Sequence, residues 1–179
     1  MSLYDLTIPS FLQSLRVLVR PLDKAEAHFA VEGRDLAELA ALRLVPDMKP
    51  FSFHIEAAIN NAVGAAARLR GLPAANIEGP ITLSDLRNAL AAAIAELESL
   101  EAHEFEGAET REIVLPSSKG ARRFEGLDYV LRLALPNVHF HVAIAYALLR
   151  REGVDLGKRD YLGDLPARGP RADALELTH

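Results

Sequence analysis

The chain has 179 residues, half of them apolar and a quarter charged, which suits one domain with a core of its own. It contains no cysteine, which excludes disulfides, thiolate metal sites and cysteine nucleophiles, so any metal has to be held by imidazole, carboxylate or amide groups. A net charge of −5 with scattered basic residues argues against a nucleic-acid surface, and with no signal-like zones in "MSLYDLTIPSF" and no run of apolar residues long enough for a membrane span, a cytoplasmic protein is expected.

In chain order, Thr7 before Ile8 and Pro9 reads as a helix start, because proline suits a first turn that needs no amide donor. Phe11, Leu12, Leu15, Leu18 and Val19 then recur at helical spacing. Pro21 is expected to interrupt or kink this helix, which continues through "LDKAEAHFA" to a stop at Gly33. Asp35 opens a short helix to Leu42, ended by the two prolines of "RLVPDMKP". A second long helix runs from Pro50 to Leu69 with Phe51, Ile55, Ala58, Ala62 and Leu69 on one face, and Gly71 stops it.

After the loop "LPAANIEGP", Thr82 and Asp85 form a variant capping box, and Leu83, Leu86, Leu90, Ala93, Leu97 and Leu100 mark a third amphipathic helix. Ile113–Leu115 and the stretch around Arg123 and Phe124 flank Pro-Ser-Ser-Lys-Gly and read as a small β-hairpin. Two short strands are marginal alone, so the hairpin has to lean on helices. Leu127 to Arg151 makes the fourth long helix, ended by Gly153, and the Gly-, Pro- and charge-rich remainder reads as irregular. Four long amphipathic helices around one core predict an all-α four-helix bundle, with the short helix after the first long one and the hairpin between the third and fourth.

The fourth helix carries "NVHFHVAIAY". On a wheel at 100° per residue centred on His141, Val130, Ala134, Asn137, Ile144, Ala145 and Leu148 fall within about 60°. His139 falls roughly opposite, with Arg132, Ala143 and Arg150. His141 and Asn137 are therefore expected to point inward and His139 outward. A buried imidazole needs partners for its ring nitrogens. Pro136 removes one helix bond beside them and leaves the Arg132 carbonyl short of a partner. On the second helix His54, Asn61 and Arg68 recur every seven residues as a stripe, so neighbouring packing of these helices would bring His54 toward Asn137 and His141. His28, four residues after Lys24, is either a surface residue or a fifth member of this group, while His103 and His179 carry no sign of a role. Spacing alone leaves open whether these are site residues or hydrogen-bonded polar residues at the edge of the core.

The stretches "LTIPSFLQSL", "LDKAEAH", "RLVPDMKP", "GAAARLRG", "ALPNVHFH" with "AYALLRREGV", and "LGKRDYLG" together resemble, from about Tyr4 to Gly163, an uncharacterised bacterial family. That family belongs to the DinB/YfiT-like helical-bundle superfamily. The resemblance implies an up-down-down-up four-helix bundle over residues 1–163, an irregular tail over 164–179, and often a homodimer. Many members of the superfamily hold a divalent metal through one histidine of the second helix and two of the fourth, spaced His-x-x-x-His. Some are transferases or hydrolases in which that metal activates a small thiol or water, chemistry that needs three protein ligands and an open position.

Carried over to this chain, His54 and His141 stand at ligand positions, but the first histidine of the pair is Asn137, and Ala145 is no ligand. A neutral carboxamide serves zinc or nickel poorly, so the site is expected to be degenerate. Three readings follow. The first is a metal-free, dimeric module that binds a small molecule or interacts with another protein, with Asn137 and His141 hydrogen-bonded to each other and Tyr161 with the tail over a small pocket. The second is a metal-dependent transferase or hydrolase, with His54 and His141 as zinc or nickel ligands and Asn137, Asp47 or His28 completing the set. The third uses His141 as a metal-free general base.

Overall fold

The computed structural model describes residues 2–76, 82–116 and 120–164. The elements are α1 (Leu3–Val31), α2 (Leu36–Ala41), α3 (Phe51–Leu69), α4 (Leu83–Glu98), a 3-10 turn (Ala102–Phe105), β1 (Glu112–Leu115), β2 (Arg122–Glu125), α5 (Gly126–Tyr129), a π turn (Val130–Ala134), α6 (Leu135–Arg151) and α7 (Lys158–Leu162). None of the described helices is long and apolar enough to cross a membrane. Of the regions read above, part of the loop before α4, the hairpin turn at 117–119 and the tail from 165 lie outside the described residues.

The first helix starts earlier than expected and runs unbroken. Ser2, not Thr7, caps it, in a reciprocal box with Asp5; Thr7 is buried a turn further on and donates its hydroxyl to the Leu3 carbonyl at 2.6 Å. Pro9 and Pro21 both lie inside α1. An interior proline costs about 3 kcal/mol relative to alanine, but α1 buries Phe11, Leu15, Leu18, Leu22, Ala25 and Phe29, at roughly 1.5–3 kcal/mol for each large apolar side chain. Burial wins, and Pro21 is itself buried in the packed face.

α2 is capped by Asp35 and α4 by the Thr82–Asp85 box, both where the sequence places them. The hairpin is antiparallel, with Ile113 opposite Phe124 and Val114 opposite Arg123. It leads straight into the last long helix, where α5, the π turn and α6 are continuous: the Leu135 amide bonds the Val130 carbonyl five residues back. This wider turn immediately precedes Pro136, the residue that cannot supply the usual amide, so the helix changes its bonding register there and continues. The segment after Gly153 is not wholly irregular, since Lys158–Leu162 form α7.

Helix α1 packs against α6 and α4, and α3 packs against the same two, with α3 and α6 the most extensive pair. Side-chain pairs give the directions. Arg16 meets Glu98, and Arg87 meets Asp23 and Glu26, so α4 runs against α1. Ser10 meets His139, and His28 meets the Glu152 carbonyl, so the last helix runs with α1. The core between them is built from the leucines, alanines, phenylalanines and valines expected from the periodicity.

Candidate functional site

The seven-residue stripe of α3 faces the last helix, rung by rung. His54 Nδ1 lies 2.9 Å from His141 Nδ1. One turn and three residues on, Asn137 Nδ2 donates to Asn61 Oδ1 at 3.0 Å, while Asn61 Nδ2 donates to the Ala57 carbonyl at 2.7 Å. At the far end Arg68 donates to the Tyr129 hydroxyl at 3.3 Å. The residue numbers rise on α3 as they fall on its partner, so the two helices are antiparallel and the ladder holds their register.

His139 is exposed, as the wheel placed it, but Asn137 and His141 do not lie at the centre of the buried face. The buried centre of α6 is Val138, Val142, Ala145 and Leu149, while Asn137 and His141 are half-buried on its flank and His139 is exposed. A wheel measures angles between residues and cannot say which residue faces the axis. Centring on the polar pair displaced the stripe away from the two valines. The expected Asn137–His141 pair does not form either, because each finds its partner across the helix interface. Of the five candidate residues His54, Asn61, Asn137 and His141 converge. His28 does not: its Nε2 lies 2.9 Å from the Glu152 carbonyl and 3.3 Å from Glu32, at the end of α6. Asp47 is exposed in the turn before α3.

Burial disfavours the charged form of both imidazoles of the pair. Between two Nδ1 atoms at this distance one donates its proton and the other accepts. His54 is 3% exposed, and burial holds its pKa below the ordinary histidine value, opposed by the nearby Lys49 carbonyl. His141 is pushed down to about 4, chiefly by burial and then by His54 beside it. Nε2 of His54 is buried with no hydrogen-bond partner among the described residues. Burial likewise pushes the Tyr129 phenol up, against the pull of Arg68.

Sequence reasoning missed the aromatic frame of the pair. The Phe53 and Phe140 rings stand 5.9 and 5.3 Å from that of His141, both edge-on, and Lys49 lies 5.3 Å from the Phe53 ring. Phe53 and Phe140 are the immediate chain neighbours of the two histidines, which is the signal that could have found them.

The donor set does not fit a divalent metal held by three protein ligands. The Asn61 amide is oriented by the Ala57 carbonyl, so its oxygen must accept and Asn137 must turn its NH2 toward it. That leaves two imidazoles already bonded to each other. Among the described residues no group of three or more histidine, aspartate or glutamate side chains is placed to hold a metal. A base with a pKa near 4 is also weak at neutral pH, which counts against His141 as a general base.

A second feature lies one helix turn toward the C-terminal end of α6. A narrow apolar pocket is walled by Val17, Leu22, Phe51, Val142 and Leu149 and covered by Asp160 and Tyr161 of α7.

A family model described as "Domain of unknown function (DUF1993)" matches residues 3–162. The chain is also similar to the crystal structure of a DinB family member protein from Shewanella denitrificans, with 34% identity, 94% of this chain and 96% of that chain covered, and a TM-score of 0.87. No curated protein matches the chain.

Proposed function

The chain belongs to the DUF1993 family, and from that premise we propose that it is a DinB-like up-down-down-up four-helix bundle with a degenerate metal site, acting as a homodimeric small-ligand-binding or interaction module. The helix directions set out above support the topology, with α1 and α6 parallel and α3 and α4 opposed to them. The observation that carries the functional reading is the His54–His141 bond with the Asn61–Asn137 bond behind it. Where the superfamily pattern calls for three imidazoles and an open position, this chain has two imidazoles bonded to each other and one neutral amide pair.

The alternative, a transferase or hydrolase using zinc or nickel with a small thiol or water, requires His54 and His141 to part and a third donor to turn inward. Protein produced in medium supplemented with zinc and nickel tests the choice. Less than about a tenth of an equivalent of either metal is expected, with no change in His141→Ala. Stoichiometric metal that is lost in His141→Ala would establish the alternative instead.

A further inference from the structure

α7 is placed over the apolar pocket with none of its five residues fully buried, Tyr161 being its half-buried contact with the core. It is fastened by one carboxylate and one amide. Asp160, whose side chain is 9% exposed, accepts from Lys24 Nζ at 3.0 Å and from the Gly157 amide at 2.8 Å, with Arg20 Nε at 3.6 Å. Lys24 also reaches the Asp155 carbonyl at 2.8 Å, and Gln13 donates to the Leu162 carbonyl at 2.7 Å. Glycines bound the helix on both sides: Gly157, with open space around its α-carbon, and Gly163, at φ +68, where a Cβ would come within 2.7 Å of Val17 Cγ1. A five-residue segment between two glycines, with no residue fully buried and fastened chiefly through one carboxylate, belongs to the low-stability end of a fold.

What it covers is a place for an apolar molecule. The walls are aliphatic side chains with the Phe51 and Tyr146 rings, and the buried side-chain atoms without partners among the described residues, on His54 and Arg70, are not in its lining. Closed, the space admits about one water, because the Tyr161 ring leans edge-on to Tyr146 at 5.9 Å across the cover. Pro21 stands in the wall, so the Val17 carbonyl lacks its usual helix donor.

We infer that α7 is a latch, fastened through Asp160 and hinged at Gly157 and Gly163, over a site for a small uncharged molecule of about aromatic-ring size, carrying at most one hydroxyl. This deepens the small-ligand reading above and rests on it. With the latch closed most of the time, apparent affinity is reduced by the fraction of open molecules, so releasing it raises affinity without changing the walls.

The test uses the full chain, with 4-fluorophenol and 4-fluorobenzoate as probes followed by fluorine NMR, and tryptic cleavage at Lys158 and Arg159 as the report on α7. Asp160→Ala is expected to speed that cleavage and to tighten 4-fluorophenol binding, each by at least about tenfold, with no gain for the charged 4-fluorobenzoate. Gly163→Ala acts at the other hinge and is expected to move both readouts the same way. Ala145→Leu, added to Asp160→Ala, fills the site and removes the gain. Cleavage unchanged in both single variants would overturn the latch. Faster cleavage with no gain for 4-fluorophenol, or an equal gain for 4-fluorobenzoate, would overturn the site. Failure of the parent reading shows separately, as stoichiometric metal in the unmodified protein.

Discussion

His141 illustrates how little a residue's own neighbours say about its chemistry. Its ring is half-buried, bonded Nδ1 to Nδ1 with His54, and edged by two phenylalanines. Its pKa of about 4 in the folded chain lies below the unfolded value of 6.5, so the unfolded state binds the extra proton and stability rises with pH. The contribution is fully present above about pH 6.5 and is lost as pH falls toward 4. Discounted for partial exposure, the loss from pH 7 to pH 5 is about 1 kcal/mol, and His54 adds to it with the same sign. Urea unfolding at the two pH values measures it, and His141→Gln is expected to flatten the difference; an equally steep loss in that variant would mean other groups govern acid sensitivity. The stripe His54, Asn61 and Arg68 is readable from spacing, and so are the candidate partners Asn137 and His141. Which residue meets which is not, because an amide or imidazole takes whichever donor the packed neighbour presents, and that neighbour is 76 or 87 positions away.

Among the elements, termini with caps were legible and interiors under tertiary pressure were not. Asp35 and the Thr82–Asp85 box announce α2 and α4 because capping is chemistry within four residues. Pro21 does not interrupt α1, because its local cost is outweighed by a buried face assembled against the other helices. α7 escapes a reading based on glycine and charge, since its hold on α1 is through Asp160 and Lys24, 136 positions apart. The junction of hairpin and last helix gives a sharp case of close approach. A Cβ on Gly126 would lie 1.8 Å from the Ala108 carbonyl oxygen, and the next amide, Leu127, bonds the Glu109 carbonyl at 3.1 Å. Both contacts are backbone and cannot rotate aside. Gly126→Ala is therefore expected to cost about 3 kcal/mol or more by overpacking, read from chemical denaturation, with Gly120→Ala in the open turn as the mild comparison at about 1 kcal/mol for its positive φ. Equal costs at both positions would remove the claim that steric approach governs Gly126.

At the scale of the whole molecule, four long helices enclose one core, and the 34% identical Shewanella denitrificans structure follows the same path over 94% of the chain. The homodimer belongs to the proposal. Phe140 and Leu131, half-exposed on the last long helix, offer an apolar contact between copies. Small-angle scattering at high concentration is expected to give twice 19.5 kDa, and a persistent mass of 19.5 kDa would rule the dimer out. The sequence by itself determined the number, order and approximate limits of the long helices, the hairpin between the third and fourth, and the exclusion of cysteine chemistry. Those follow from periodicity, capping and composition, which act over a few residues. Only the tertiary structure decided that α1 passes through its prolines, that Val138 and Val142 rather than His141 face the core, that His28 belongs to another part of the molecule, and that α7 closes an apolar pocket. Each of these depends on free energy gained between residues far apart in the chain, and no local pattern encodes which distant surface will be there to supply it.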